Sequence, residues 1–105
     1  MFDISLDDIK MVKDKYVSQE SPLKISLFPP KEKRKYILLC MIVHEFEVGK
    51  SYSELEVNNL LKPIYHDFVT IRRYLVDYHF IDRKTDGSSY WLNVNQEDYK
   101  DYKFS

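Results

Sequence analysis

The spacing of apolar and polar residues along the chain predicts short helices and a few short strands. Apolar residues at helical intervals predict an amphipathic helix over residues 6–17, with this stripe: Leu6, Ile9, Val12 and Tyr16. Ser5 precedes the helix and Asp8 follows three residues later, which is the spacing of a helix cap. Residues 18–22 are typical of a break, and alternation over residues 23–28 predicts an extended piece that ends at two prolines.

The strongest helical pattern covers residues 31–46, with Pro30 expected in the first turn, where a missing N–H costs nothing. Its middle, residues 36–43, is apolar on every face, so the helix must be covered from more than one direction. The helix at 6–17 is one candidate cover and a partner subunit is the other. This pattern predicts a homodimer.

A very short strand at residues 50–52 and a second helix at 54–61 follow. Ser53 and Glu56 have the capping-box spacing. The residues expected to face the core from this helix are Leu55, Val57, Leu60 and Leu61.

A third helix is predicted at residues 67–78, with Asp67 as its cap and this apolar stripe: Phe68, Ile71, Leu75 and Tyr78. A hairpin follows, with strands at 80–83 and 89–93, because Asp86-Gly87 between them is a strong turn signal.

The order of helix, short strand, two helices and hairpin is that of a winged helix-turn-helix. We therefore expect a mostly α (α+β) protein of this type, with an added N-terminal helix and a two-stranded wing. Residues 67–78 take the recognition-helix position and 84–89 the wing tip. Three segments are expected: an N-terminal helix and linker at 1–27, the winged-helix-like domain at 28–93, and an acidic, aromatic tail at 94–105.

Composition narrows the class of protein. The chain has 105 residues, enough for one domain, and a net charge of −1. Residues 31–84 carry ten basic and eight acidic residues, a net +2, which permits nucleic-acid binding without demanding it. The single cysteine excludes an intramolecular disulfide. No apolar run approaches the roughly 20 residues of a membrane span, and no secretory signal opens the chain, so a cytoplasmic protein without membrane contact is expected.

Arg73 and Arg72 on the third helix are the sharpest candidate DNA contacts, because guanidinium groups bind phosphates and guanine edges bidentately. Helical geometry predicts that Arg73 projects outward beside Thr70, whereas Arg72 lies at the rim of the core. The alternative is a solvated surface, or ion pairs with Asp77 or a second-helix Glu. Val69 and Val76 also face outward and favour a protein interface instead.

Other polar residues extend the predicted double-stranded DNA surface. Lys62 and His66 flank the turn between the second and third helices, and the hairpin contributes Arg83, Lys84, Ser88 and Ser89. Wings are often merely polar. A basic run opens the first long helix: Lys31, Lys33, Arg34 and Lys35. Cations there oppose the helix dipole; a phosphate contact explains them, although a solvated charged end is the favoured interpretation.

Neither metal nor catalytic chemistry is favoured. Cys40 and His44 share a helical face, and His66 is the nearest further ligand candidate, but a thiol in the most apolar run is typical of a core residue. The chain has no glycine-rich phosphate loop, nucleophile elbow or paired-cysteine motif. We expect no metal, no cofactor and no enzymatic activity.

Residues 28–92 resemble a bacterial domain family of unknown function. The resemblance rests on these stretches: Phe28-Pro29-Pro30-Lys31, Lys33-Arg34-Lys35, Tyr52-Ser53-Glu54-Leu55-Glu56-Val57-Asn58, Leu61, His66-Asp67-Phe68, Thr70, Arg72-Arg73, Leu75-Val76-Asp77-Tyr78, Asp82-Arg83, Asp86-Gly87 and Tyr90-Trp91. Members occur alone or fused to arsenic-repressor-type regulators, which implies a transcription-related role. His79 departs from the pattern, which usually has glycine there.

The sequence therefore predicts a DNA-binding transcription regulator that acts as a homodimer. The main alternative is a winged-helix protein-interaction module without DNA affinity. A small-ligand sensor that uses the aromatic-rich core is a third interpretation.

Overall fold

The computed structural model describes residues 2–103, which form an α+β protein with two small antiparallel sheets. The α-helices are α1 (Leu6–Tyr16), α2 (Glu32–Ile42), α3 (Glu54–Leu61) and α4 (Phe68–Asp77). The strands are β1 (Val17–Gln19), β2 (Lys24–Ile25), β3 (Ser51–Tyr52), β4 (Ile81–Arg83) and β5 (Tyr90–Leu92). Short 3₁₀ helices cover Val43–Glu45 and Gln96–Tyr102. Within residues 2–103, no helix has the length and apolar character that crossing a membrane requires.

Helix α1 begins with the predicted capping box. The backbone N–H of Asp8 donates to Ser5 Oγ (3.1 Å), and the N–H of Ser5 donates to Asp8 Oδ2 (3.0 Å). The expectation that Leu6 joins the buried stripe is wrong, because Leu6 is 72% exposed. It lies nearly a quarter turn from the centre of the stripe that buries Ile9, Val12 and Tyr16.

The segment after α1 is more regular than the sequence predicts. β1 pairs antiparallel with β2, so part of the predicted break at 18–22 belongs to a small hairpin. Helix α2 then begins at Glu32. Pro30 is not in its first turn, because Lys31 is the N-cap and keeps an extended backbone (φ −76°, ψ 131°).

Helix α2 forms the centre of the core. Ile37–Val43 are at most 2% exposed, because α1, α4 and the C-terminal 3₁₀ helix all pack against α2. The expectation that α1 is one cover of this helix is confirmed, and burial of residues 37–43 does not require a partner subunit. Gln96 caps the 3₁₀ helix that follows α2 by donating from Nε2 to the carbonyls of Val43 (2.8 Å) and Phe46 (2.7 Å).

Helix α3 has the predicted bounds and the predicted capping box between Ser53 and Glu56. It buries Val57 and Leu61, but the prediction that Leu55 is buried is wrong, because Leu55 is 64% exposed. Leu55 lies on the side of α3 opposite the two buried residues.

The predicted hairpin is confirmed, and β3 joins it to make a three-stranded antiparallel sheet in the order β3-β5-β4. Gly87 has φ +74°, the left-handed conformation that its Asp-Gly turn requires.

Helix α4 ends in a left-handed cap at His79, where φ is +62°. The N–H groups of His79 and Phe80 donate to the carbonyls of Val76 and Leu75, both at 2.9 Å, which is the Schellman arrangement. Histidine therefore takes the conformation that glycine adopts with less strain.

Candidate nucleic-acid interface

The start of α4 is fixed by Asp67. Its carboxylate accepts hydrogen bonds from the N–H of Thr70 (3.3 Å) and from Thr70 Oγ1 (2.7 Å). The hydroxyl proton of Thr70, a predicted DNA contact, is therefore already donated within the cap. This hydroxyl can therefore donate a hydrogen bond to a bound phosphate only if it first breaks its hydrogen bond to Asp67.

Arg72 is tied to α3. Its Nη2 lies 3.1 Å from Glu54 Oε1, its Nη1 donates to Asn58 Oδ1, and its side chain is only 14% exposed. The alternative that Arg72 pairs with a second-helix Glu is confirmed. Because a contact with DNA requires this pair to be broken, the geometry gives Arg72 a structural role in joining α3 to α4.

Arg73 has the opposite surroundings. It lies half a turn from the buried Ile71 and Leu75, and it is exposed. Its guanidinium makes no hydrogen bond or ion pair with the described part of the chain, not even with Asp77 one turn later. Arg73 is therefore available to an external anion.

A groove of about 390 Å³ separates α4 from the β4–β5 hairpin. Three arginines and three carboxylates line it: Arg72, Arg73, Arg83, Glu54, Asp77 and Asp86. Arg83 enters this groove although its Cα belongs to β4, and its guanidinium lies beside the hairpin turn. A Cβ atom placed on Gly87 would lie 3.6 Å from Arg83 Nη1.

The formal charges in the groove cancel, but the groups are not equally available. Glu54 is paired with Arg72. Asp86 Oδ1 accepts a hydrogen bond from the N–H of Ser88 (2.9 Å), and hydrogen bonds from Ser88 hold the pKa of Asp86 below its ordinary value. Asp77, Arg73 and Arg83 remain without a side-chain hydrogen bond or ion pair among the described residues.

The other predicted contacts lie at the tip of the hairpin or at the turn between α3 and α4. Lys84 and Ser88 are exposed in the hairpin turn. Lys62 places its Nζ 5.2 Å from the centre of the Phe68 ring, and the ring of His66 packs against Tyr65 at 4.4 Å. None of these four lines the groove.

The basic start of α2 is paired in part within the fold. Lys31 is exposed, as the favoured interpretation of a solvated end expects, whereas the other three cations contact side chains of the protein. Lys33 Nζ is 2.9 Å from Asp8 Oδ2 on α1. Arg34 Nη1 donates to the hydroxyl of Tyr16 at 2.9 Å. Lys35 Nζ pairs with Glu32 (3.1 Å) and donates to the Tyr74 hydroxyl (3.0 Å). These contacts explain Lys33, Arg34 and Lys35 without a ligand.

Cys40 is a core residue, as the sequence predicts. It is fully buried, and this burial raises the pKa of its thiol far above the ordinary value. His44 Nε2 is 2.7 Å from the carbonyl oxygen of Tyr99, and His66 lies against Tyr65. Between residues 2 and 103, no group of three or more His, Cys, Asp or Glu side chains is placed to hold a metal ion.

Comparison with known proteins gives a family. Residues 24–92, about two thirds of the chain, match a family described as an uncharacterized protein conserved in bacteria (DUF2087). The chain belongs to this family. The resemblance to a bacterial family of unknown function is thus confirmed, and both α1 and the C-terminal 3₁₀ helix lie outside the matched region. No curated protein and no solved structure matches the chain.

Helical geometry separates the two arginines in the sequence, with Arg73 expected to project outward and Arg72 to lie at the rim of the core. The structure identifies Glu54 as the second-helix carboxylate that neutralises Arg72 and not Arg73. The sequence did not predict that the Arg83 side chain points into the groove. The Asp86-Gly87 turn was the available signal, because a side chain at the last position of β4 can fold back along a glycine.

Proposed function

We propose that this protein has the winged helix-turn-helix fold, with α3 and α4 as the helix-turn-helix and β4–β5 as the wing. The support is the order α2-β3-α3-α4-β4-β5 together with the sheet order β3-β5-β4. Strand β3, which precedes α3 and α4 in the sequence, thus pairs with β5, the second strand of the hairpin. Fusion of similar domains to arsenic-repressor-type regulators, which the sequence resemblance implies, fits a role in transcription.

The proposed function is binding of double-stranded DNA through the outer face of α4 and the adjoining wing. One observation carries it: Arg73 projects from the middle of α4, exposed and without a partner in the described part of the chain, next to a groove that also receives Arg83. A guanidinium without a partner loses no internal bond when it contacts a phosphate. Lys84 at the wing tip adds a third exposed cation to Arg73 and Arg83.

The charge balance sets the expected strength of binding. Because carboxylates accompany the arginines, the surface neutralises few phosphates, and sequence-independent affinity is expected in the range of about 10⁻⁴ to 10⁻⁶ M. Sequence preference requires base contacts from α4, for which Arg73 is the candidate.

A salt titration tests the proposal. Binding of a fluorescent random-sequence duplex is measured at several salt concentrations for wild type, Arg73→Ala and the control Lys24→Ala. Lys24 is an exposed residue of β2 outside the groove, so its loss changes the net charge by the same amount. The proposal predicts that log affinity falls linearly with log salt, and that only Arg73→Ala reduces the slope, by about 1. Salt-independent or undetectable binding by wild type contradicts it.

A protein-interaction module is the second candidate, favoured by exposed apolar side chains on the same two helices. Leu55 on α3 is 64% exposed and Val69 on α4 is 41% exposed. Burying exposed apolar groups against a protein partner is favourable in free energy, whereas contact with phosphates stabilises such groups little. Replacing Val69 with serine separates the candidates, because DNA affinity should change little, whereas a protein interface through this face should weaken.

The homodimer stays a prediction, although the apolar helix that motivated it, α2, is already buried within a single chain. Light scattering at micromolar concentration tests it, and a monomer throughout that range contradicts it.

A further inference from the structure

We infer that Arg73 and Arg83 hold a single backbone phosphate of duplex DNA between them, in the groove between α4 and the hairpin. The inference rests on the proposed DNA binding and adds the partner group and its second ligand. The two guanidinium groups come from different elements, one from the middle of the helix and one from the end of β4, and both line the same groove.

The hairpin turn directs Arg83 to this place. Gly87 has a positive φ and no side chain, and the Arg83 guanidinium runs alongside it, with Nη1 3.6 Å from the position of a Cβ. The turn itself is closed by a hydrogen bond from the N–H of Gly87 to the carbonyl of Lys84 (2.8 Å). Arg83 is therefore directed toward α4 by a fixed turn.

The two arginines that remain after internal pairing can both bind one phosphodiester. Arg72 and Glu54 neutralise each other, whereas the guanidinium groups of Arg73 and Arg83 have no partner among the described residues. Two guanidinium groups around one phosphate supply several charge-assisted hydrogen bonds to its oxygens. Asp77 and Asp86 keep their negative charges in the same groove, so they oppose the bound anion and lower its affinity.

The number of phosphates distinguishes one shared site from two separate contacts. Salt slopes for duplex binding are measured for wild type, Arg73→Ala, Arg83→Ala and the double variant, with Lys24→Ala as the control for net charge. If the arginines share one phosphate, the double variant loses about 0.9 of slope in total, and its loss of affinity is smaller than the product of the single losses. Asp77→Asn should raise affinity in the presence of both arginines and not in the double variant.

Each opposing result has a distinct meaning. A double-variant slope reduced by about 1.8, with independent losses of affinity, overturns the shared phosphate. So does Arg83→Ala that binds like wild type while Arg73→Ala is weakened, a result that leaves DNA binding itself intact. Wild type without salt-sensitive DNA affinity overturns both proposals, including the case in which an acidic peptide binds instead. Arg83→Lys guards against misfolding: it keeps the charge but loses the bidentate fork, so the slope should stay and affinity should fall.

Discussion

At the start of α2, Lys33, Arg34 and Lys35 each bind a partner within the fold, whereas the guanidinium groups of Arg73 and Arg83 beside the hairpin groove have no partner among residues 2–103. The first region has the denser run of positive charge in the sequence. The second has fewer cations, separated by ten residues. A search for basic clusters along the chain selects the first region, while the structure makes the second available to an anion.

The difference shows that pairing decides what a cation can bind. An internal partner must be given up, or the ligand must add to it, before a paired guanidinium or ammonium can neutralise a phosphate. The same distinction separates the neighbours Arg72 and Arg73 on a single helix. The start of α2 therefore has a structural role, and the outer face of α4 is the surface that we propose for binding.

The largest expected effect concerns the structural role of α2. Leu38 is fully buried, so Leu38→Ala should lower the free energy of unfolding by about 2–5 kcal/mol. The matched control is Leu55→Ala, which removes the same atoms from a side chain that is 64% exposed and should cost about 0.5 kcal/mol or less. Urea denaturation measures both. Equal losses of stability in the two variants would contradict a core position for Leu38 and a surface position for Leu55.

The next effect sharpens the contrast between adjacent arginines. Arg72→Ala breaks the contacts with Glu54 and Asn58 and should cost about 1–2 kcal/mol of stability. Arg73→Ala should cost about 0.5 kcal/mol or less. Thermal melting of the two variants compares them directly, and a greater loss in Arg73→Ala would contradict the pairing described above.

A smaller effect should appear at the end of α4. His79 has φ +62°, so His79→Gly relieves left-handed strain and, after the added entropy of the unfolded chain, should stabilise the protein by about 0.5–1 kcal/mol. His79 does not line the groove, so DNA affinity should stay unchanged. A destabilised variant, as judged by its denaturation midpoint, would show that the histidine side chain makes a contribution larger than the strain.

The smallest effect lies at the basic start of α2. The Ser5 N–H and, after it, Lys33 lower the pKa of Asp8 from 3.8 to about 2. A lowered folded-state pKa contributes stability above the unfolded-state value, and this contribution is lost as pH falls from about 4 to about 2. Asp8→Asn should therefore be slightly less stable than wild type at neutral pH, with the gap closing over that interval. A gap that persists at pH 2 would argue against this cause.

Local sequence signals predicted much of the fold. The capping boxes at Ser5 and Ser53, the Asp67 cap and the Asp86-Gly87 turn all involve residues within three positions of one another. Such contacts can be recognised from the spacing of residues in the sequence, and they predict the bounds of α1, α3 and α4 closely.

Contacts between distant segments were less predictable. Leu55 and Leu61 are equally apolar, but only the direction of the tertiary packing tells which side of α3 is buried. Likewise, Lys33 pairs with Asp8, which lies 25 positions earlier in the sequence. Arg83 reaches the groove through the conformation of its long side chain, which its position in the sequence does not specify. The candidate site therefore needed the structure, although Arg73 itself followed from helical geometry.

Cations of the two regions can be compared directly in one DNA-binding experiment. Salt slopes for a random duplex are measured for wild type, Lys33→Ala and Arg73→Ala, each of which removes one positive charge. We predict that Lys33→Ala keeps the wild-type slope, because Lys33 is paired with Asp8, and that Arg73→Ala lowers it by about 1. A slope lowered by Lys33→Ala and unchanged by Arg73→Ala would contradict the proposed binding surface on α4.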